Sequence, residues 1–256
     1  MQKNILFLFS MLLLLTACAH PKPHLWSMPA EYPHGYLHSR QAPHAAAFLP
    51  SFPVSGSWQD LNDKKQLLQI HALATPARRE QAAEDAQLGQ PDAPKVFECA
   101  LGKKIDPQRA PVLATMLARI VMDVETVQKS LKVDGQTRIR PYVDLKFQPC
   151  VDGQLLAKTS SYPSGHAAIG WAWALILSEL QPNLADVLLH RGYDYGESRL
   201  VCGFHYPTDV AAGRLVGSVV FSALQTNSLY KNEAIIAKRE ILMLRPKSNK
   251  ECQRDN

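Results

Sequence analysis

Residues able to bind and transfer an anion occur in three short strings in the C-terminal half of the chain. The strings share arginine, histidine and small turn residues, and they are Arg138-Ile139-Arg140-Pro141, Tyr162-Pro163-Ser164-Gly165-His166, and Ser198-Arg199 followed by His205 and Asp209. Guanidinium groups bind phosphoryl oxygens in pairs, and imidazoles act as acids, bases or nucleophiles near neutral pH. The strings therefore predict an anion site with acid and base groups beside it, and the expected anion is phosphate.

The string Ser164-Gly165-His166 precedes an apolar stretch, and we expect it to begin a helix. Serine is a good N-cap, glycine permits close backbone approach, and the first N–H groups of a helix attract anions. His166 would lie in the first turn, where bound phosphate favours its protonated form and equips it as a general acid. The alternative is an ordinary surface histidine on a capped helix.

His205 and Asp209 follow Arg199 at a spacing that suits a nucleophile and its orienting acid. Pro207 is expected at the first helical position, which puts Asp209 in the first turn close to the His205 ring. A carboxylate there can accept one ring N–H and leave the other nitrogen free to attack phosphorus. For an isolated pair of this spacing, a packed histidine and a helix N-terminal acid would be the alternative.

Arg140 precedes Pro141, so its backbone is expected to be extended. Arg140 and Arg199 can each present a two-pronged donor to phosphoryl oxygens. Arg138 lies two residues back on the same extended stretch. We expect it to point away from the phosphate and leave it out of the site.

In order and spacing, these strings resemble the three-part signature of the phosphatidic acid phosphatase type 2 superfamily. Two segments are similar to sequences of the bacterial class A nonspecific acid phosphatases. They are Ser-Tyr-Pro-Ser-Gly-His and Gly-Glu-Ser-Arg-x-x-Cys-Gly-x-His. The resemblance implies an all-α fold in a single globular helical domain. It also implies hydrolysis of a broad range of phosphate monoesters without metal or cofactor, possible phosphotransfer as a side activity, and a phosphohistidine formed on His205. His166 would be the general acid and Asp209 the orienting acid. The implied phosphate-binding residues are Lys132, Arg140, Ser164, Gly165 and Arg199.

The lysine of the first family motif is displaced in this chain. The family has lysine, six residues and then Arg-Pro, but Val133 occupies the lysine position here. Lys132 is one residue further away, and Lys129 lies one helical turn before Val133. Because loops absorb insertions, we expect Lys132 to face the phosphate, with Lys129 or no lysine as the alternatives.

Residues 1–18 have the features of an export signal, with Lys3, a short apolar run and a terminal Leu-Thr-Ala-Cys. Cys18 resembles the acylated cysteine of bacterial lipoproteins, the alternative being a cleaved signal in which Cys18 is incidental. We expect an exported, periplasmic protein that is anchored to the outer membrane. Membrane contact is expected only through this N-terminal lipid.

Four cysteines remain after Cys18, an even number that suits disulfide bonds in an oxidising compartment. The sequence alone permits three pairings. The family resemblance favours Cys150 with Cys202, which leaves Cys99 with Cys252. The cysteine spacings do not suit a zinc site.

Residues 19–55 are rich in proline and histidine and are expected to form a tether and an extended lead-in. Their histidines lack the spacing of a helical metal site, so we predict a solvated linker and no metal. Residues 56–256 are expected to form the helical phosphatase domain.

Several sequence patterns in this domain predict helices. Thr75-Pro76, Asp106-Pro107, Asn183 and Tyr206-Pro207 are candidate helix starts, and a closing helix is expected near 235–242. An i, i+3, i+4, i+7 stripe predicts one face of a buried helix. Its members are Leu113, Met116, Leu117, Ile120, Val121, Val124 and Val127. The segment 167–180 is apolar nearly all round, as in a central helix.

The net charge of +5 is modest and unclustered, which argues against nucleic acid as a partner. Small phosphate monoesters are the expected partners, and a homo-oligomer is compatible with the sequence. Vanadate-dependent haloperoxidases share the same site residues, so a related enzyme is one alternative function. A surface-anchored binding protein without catalysis is another.

Overall fold

Ten α-helices and no β-strand occur in the part of the chain that the computed structural model describes, which is residues 33–38, 42–88, 93–131 and 137–252. The helices are α1 Trp58–Leu73, α2 Pro76–Glu84, α3 Glu98–Leu101, α4 Pro111–Ser130, α5 Pro141–Asp144, α6 Gly165–Leu180, α7 Ala185–Val201, α8 Pro207–Leu224, α9 Ser228–Met243 and α10 Asn249–Cys252. The all-α fold expected from the sequence is confirmed. Within the described residues, no helix is both long enough and apolar enough to cross a membrane.

Helix α6 is the centre of the fold, and α7 and α8 pack along its two sides. Most of its side chains are buried, because apolar residues occupy nearly all of its circumference. The predicted central helix is therefore confirmed. The stripe predicted from Leu113 to Val127 is also confirmed, since its residues form the buried face of α4.

Helices α6 and α8 approach each other closely because α8 carries glycine at the contact. A Cβ atom at Gly213 would lie 2.4 Å from the carbonyl oxygen of Ser164, and one at Gly217 would lie 2.5 Å from that of Ala168. Side chains at these positions would force the helices apart. The glycines thus bring the first turn of α6 against the first turn of α8, where Asp209 lies.

Three predicted helix starts are confirmed. Thr75 is the N-cap of α2 with Pro76 at the first helical position, and Ser164 is the N-cap of α6. Tyr206 precedes Pro207 at the start of α8.

Two other predicted starts are wrong. Asp106 caps only a turn, in which its carboxylate accepts the Gln108 N–H, and α4 begins later, at Pro111. Asn183 lies inside a single 3-10 turn before α7. Aspartate and asparagine favour turns and helix caps for the same reason, their short side chains bonding nearby N–H groups, so the sequence signal is shared.

The lead-in before α1 contributes to the core. Tyr36, Leu37 and Ala45 are buried in the main hydrophobic cluster. The Leu37 N–H donates a 2.8 Å hydrogen bond to the buried carboxylate of Asp123 on α4. This part of the lead-in is therefore fastened to the helical domain.

Two disulfide bonds occur, Cys99–Cys252 and Cys150–Cys202. The pairing implied by the family resemblance is confirmed. Cys202 lies between Arg199 and His205, so its bond ties the loop after α5 to the functional segment. Cys18 lies outside the described residues.

Candidate active site

The predicted site residues gather where the start of α6, the end of α7 and the start of α8 meet. Arg140 joins them from the extended segment before α5. Their side chains are buried, and Arg199 and Asp209 have no exposed surface at all. Residues far apart in the sequence therefore form one enclosed cluster.

The two ring nitrogens of His205 have different neighbours. Nδ1 lies 2.7 Å from the Ser161 carbonyl oxygen, which can only accept a hydrogen bond, so Nδ1 carries the proton. Nε2 lies 3.2 Å from Nη1 of Arg140, which can only donate. The lone pair of Nε2 is therefore directed towards Arg140.

Asp209 acts on His205 by its charge rather than as the direct acceptor of the ring N–H. Its Oδ2 atom is 3.8 Å from Nδ1 of His205. That oxygen already accepts hydrogen bonds from the Ser161 hydroxyl and from the Tyr206 N–H, the latter at 2.8 Å. Sequence reasoning assigned the acceptor to the carboxylate, whereas the shorter contact is to the backbone carbonyl of Ser161.

Arg140 is held by neutral acceptors. Its guanidinium group donates to the carbonyl oxygens of Leu156, Ser160 and Phe204 and to the Thr159 hydroxyl, at 3.0–3.2 Å. Among the described residues it forms no ion pair with a carboxylate. Its positive charge is therefore available to an anion.

Arg199 has donors without acceptors. Its side chain is fully buried, with the guanidinium carbon 4.6 Å from the centre of the Phe204 ring. Within the described part of the chain, neither Nε nor Nη1 has a hydrogen-bond partner. Leaving a buried donor unpaired costs about 1–3 kcal/mol, more for a charged group, so this position favours an anionic ligand.

The first turn of α6 adds backbone donors to the cluster. The Ser164 hydroxyl accepts the Ala167 N–H at 3.3 Å, and the Ser164 N–H donates to the Asp209 carbonyl at 3.0 Å. The remaining first-turn N–H groups have no acceptor inside the helix. Nε2 of His166, in the same turn, lies 3.3 Å from the Ala86 carbonyl oxygen.

Burial and positive charge set the protonation of the site. Burial, followed by Arg140, lowers the pKa of His205 to about 4, although Asp209 opposes the shift. Burial, with Arg199 and His205 adding to it, holds the pKa of His166 well below its usual range. Burial also lowers the pKa of each arginine to about 10, so both stay charged at acid and neutral pH. The site without a ligand thus has two charged arginines and two neutral histidines.

Of the two candidate lysines, Lys129 lies in the described part of the chain. Lys129 is mostly exposed on α4 and pairs with Glu125 at 2.7 Å. Lys132 lies outside the described residues, and its place near the phosphate remains a prediction.

Sequence reasoning missed Arg138 and Ser161. Arg138, which the sequence analysis left out of the site, donates to Oδ1 of Asp209 at 2.5 Å. It therefore lies directly behind the site. Ser161 is the first residue of the Ser-Tyr-Pro-Ser-Gly-His segment, but its residue type gave no indication that its backbone carbonyl contacts His205.

Comparisons with known proteins agree with this geometry. The PAP2 superfamily model matches residues 110–233, a range that contains all seven clustered site residues. The non-specific acid phosphatase of Providencia stuartii is 37% identical over 212 residues, which cover 82% of this chain and 86% of that protein. The non-specific acid phosphatase of Salmonella typhimurium is 34% identical over 76% of this chain and 78% of its own length. The acid phosphatase of Zymomonas mobilis is 34% identical over 76% of this chain and 74% of its own length. The chain therefore belongs to the PAP2 superfamily and, within it, to the class A acid phosphatases.

Proposed function

We propose that this acid phosphatase hydrolyses a broad range of phosphate monoesters through a phosphohistidine on His205, without a metal ion. The observation that carries the proposal is the buried Arg199 guanidinium, two of whose nitrogens lack partners in the described structure. Arg140, which pairs with no carboxylate there, lies beside the Nε2 atom of His205. A phosphoryl group between the two arginines would satisfy the unpaired donors and meet the nucleophile.

In the first step, the lone pair of Nε2 attacks phosphorus and the bond from phosphorus to the ester oxygen breaks. The leaving oxygen takes a proton from His166. Because the empty site keeps His166 neutral, that proton must arrive with the substrate, whose negative charge raises the pKa of the buried imidazole. Because His166 must be protonated for this step, we expect the reaction to be faster under acid conditions.

In the second step, water attacks phosphorus while His166, now neutral, accepts a proton from it. The bond from phosphorus to Nε2 breaks, its electron pair returns to His205, and inorganic phosphate leaves. Arg140, Arg199 and the N–H groups after Ser164 stabilise the charge that develops on the phosphoryl oxygens in both steps. Transfer to an alcohol instead of water would give the phosphotransferase side activity.

Metal independence has a physical basis in this charge distribution. The arginines supply the positive charge that Mg²⁺ or Zn²⁺ provides in metal-dependent phosphatases. Mg²⁺ and Zn²⁺ also need clusters of oxygen, nitrogen or sulfur ligands. In the described part of the chain, no group of three or more His, Cys, Asp or Glu side chains has a suitable arrangement.

The decisive experiment replaces the nucleophile. We expect His205→Ala to abolish hydrolysis of p-nitrophenyl phosphate and to remove the acid-labile, alkali-stable label that trapping with labelled substrate leaves on the wild type. His190→Ala is the matched control, because His190 pairs with Asp194 at the same sequence spacing but on the exposed surface of α7. That control should retain activity and label.

Two other results would reject the proposal. Turnover near the wild-type rate in His205→Ala would exclude that histidine as nucleophile. Absence of phosphatase activity in the wild type would favour the alternatives, and halide oxidation with added vanadate would then separate a haloperoxidase-like enzyme from a non-catalytic binding protein.

We also propose that the protein is exported to the periplasm and acylated at Cys18. The two disulfides support an oxidising compartment. Metabolic labelling with palmitate should mark the wild type but not Cys18→Ser. Equal labelling of both would exclude Cys18 as the acylated residue.

A further inference from the structure

Behind the site lies a buried cluster of charges centred on Arg138. Nη1 of Arg138 donates to Asp209 at 2.5 Å and to the Thr208 hydroxyl at 2.7 Å. Nη2 donates to Asp63 at 2.6 Å and lies 3.4 Å from Asp60. Only 6% of Arg138 is exposed, so these contacts form away from water.

The cluster connects α1 to the nucleophile. Asp63, on α1, accepts from the Thr208 side chain at 2.5 Å as well as from Arg138. Helix α1 therefore holds Arg138 from one side while Asp209 holds it from the other. The Tyr206 ring covers the guanidinium, with its centre 4.1 Å from the central carbon.

Asp209 is ringed by donors from several elements. Arg138 bonds Oδ1, while the Ser161 hydroxyl and the Tyr206 N–H bond Oδ2, and His205 lies 3.8 Å from Oδ2. The titratable and charged groups around Asp209 and its partner Arg138 come from α1, the extended segment, the turn before α6 and the start of α8. They are Asp60, Asp63, Lys64, Arg138, Arg140, Tyr162, His205 and Tyr206.

The proposed chemistry needs Asp209 in its ionised form. When Nε2 of His205 bonds to phosphorus, the imidazole becomes positively charged, and a carboxylate behind Nδ1 stabilises that charge. Burial by itself raises the pKa of the Asp209 carboxyl, but His205 and Arg138 outweigh burial and hold that pKa below its usual range. Removing Arg138 takes away one of the causes that lower the pKa of Asp209, so this carboxyl would take up its proton at a higher pH.

We propose that Arg138 is a positioning residue that keeps Asp209 ionised and oriented behind His205 in acid, and so sets the acid limit of the enzyme's working range. The inference rests on the proposed phosphohistidine function. Arg138 touches no reacting atom and acts through Asp209. Its fixed, two-sided guanidinium bonds suit this role, because a lysine provides charge without that geometry.

The test compares pH profiles of kcat and kcat/KM between pH 4 and 7 for the wild type, Arg138→Gln and Arg138→Lys. For Arg138→Gln we expect the ratio of mutant to wild-type kcat to fall about tenfold or more as pH drops by one to two units, with little change in KM. Arg138→Lys should restore part of the acid activity because it keeps the charge. Lys64→Met is the control, since Lys64 pairs with Asp60 and Asp144 and, in the described structure, forms no hydrogen bond with Asp209 or Arg138.

The shape of the pH profile distinguishes the proposed role of Arg138 from a purely structural one. A uniform loss of activity in Arg138→Gln, with an unchanged profile shape, would assign Arg138 a structural role and overturn the proposal. The same conclusion follows if neither variant folds, as judged by circular dichroism, or if Lys64→Met shifts the profile equally. Phosphohistidine trapping of the wild type checks the underlying function separately, because a trapped intermediate with an unchanged Arg138→Gln profile rejects only this inference.

Discussion

Nη1 of Arg140 lies 3.2 Å from Nε2 of His205, so in the proposed mechanism one guanidinium group would both bind the phosphate and orient the attacking nitrogen. The Ser161 carbonyl holds the opposite ring nitrogen at 2.7 Å. These two contacts fix the ring before substrate arrives. Most of the benefit of such preorganisation should appear in the chemical step.

Replacing Arg140 should therefore reduce transition-state stabilisation. We expect Arg140→Ala to lower kcat/KM by about two orders of magnitude, on the order of 2–4 kcal/mol. Arg140→Lys should recover only part of this loss, because lysine cannot reproduce the forked contacts. Steady-state kinetics on p-nitrophenyl phosphate measure the effect, with the exposed Arg109→Ala as control. Equal losses in both variants would contradict the assignment.

Stability should depend on pH through the buried histidines. Burial lowers the pKa of His205 from 6.5 to about 4, so the unfolded chain binds protons at a higher pH than the folded protein does. The free energy of unfolding should then fall as pH drops from 6.5 towards 4, by roughly 3 kcal/mol for His205 alone. The depressed pKa of His166 acts in the same direction.

Phosphate should offset this acid destabilisation, because its negative charge favours protonated imidazoles. We expect the rise in Tm caused by phosphate to be larger at pH 4.5 than at pH 7, measured against chloride at equal ionic strength. A phosphate effect that is the same at both pH values, or larger at pH 7, would show that the histidines do not couple to the anion.

The two candidate lysines should behave differently. If the loop after α4 carries Lys132 to the phosphate, Lys132→Ala should cost about 2–4 kcal/mol in kcat/KM. Lys129→Ala should be close to neutral, since Lys129 is exposed and paired with Glu125. The reverse ranking would move Lys129 into the site, and no effect from either change would mean that arginines and helix N–H groups suffice.

Chelation should leave the enzyme active, whereas vanadate should inhibit it. Vanadate adopts the five-coordinate geometry of the phosphoryl transition state, and two arginines provide the compensating charge. Activity assayed after dialysis against EDTA measures the first expectation, and competitive inhibition by vanadate the second. Loss of activity on chelation, restored by a divalent cation, would refute the metal-free mechanism.

The close contact between α6 and α8 should be sensitive to a single methyl group. Gly213→Ala places a Cβ atom 2.4 Å from the Ser164 carbonyl oxygen, so the backbone at the start of α6 must move. We expect a loss of about 1–3 kcal/mol of stability, together with a lower kcat. Thermal melts and kinetics would measure both, with the exposed Ala211→Ser on the same helix as control. Unchanged kcat would show that the α6 turn tolerates the shift.

The sequence by itself determined the helical class, the central helix and most of the residues that the structure brings together in the candidate site. These features depend on local information, namely the stripe on α4, the cap at Ser164 and the spacing of Arg199, His205 and Asp209. The helix starts predicted at Asp106 and Asn183 were wrong, because helix caps and turns use the same hydrogen bonds from side chain to backbone.

Only the tertiary structure decided which groups hold the side chains of the candidate site. The Ser161 carbonyl reaches His205 across 44 positions of sequence, and Arg138 reaches Asp209 across 71. Contacts of this kind depend on how α1, α6 and α8 pack, and backbone carbonyls leave no mark in the residue types. The burial that leaves two Arg199 nitrogens without partners in the described structure also arises only when the helices assemble. Residue types therefore indicated which groups could do chemistry, while packing set the burial and orientation of those groups.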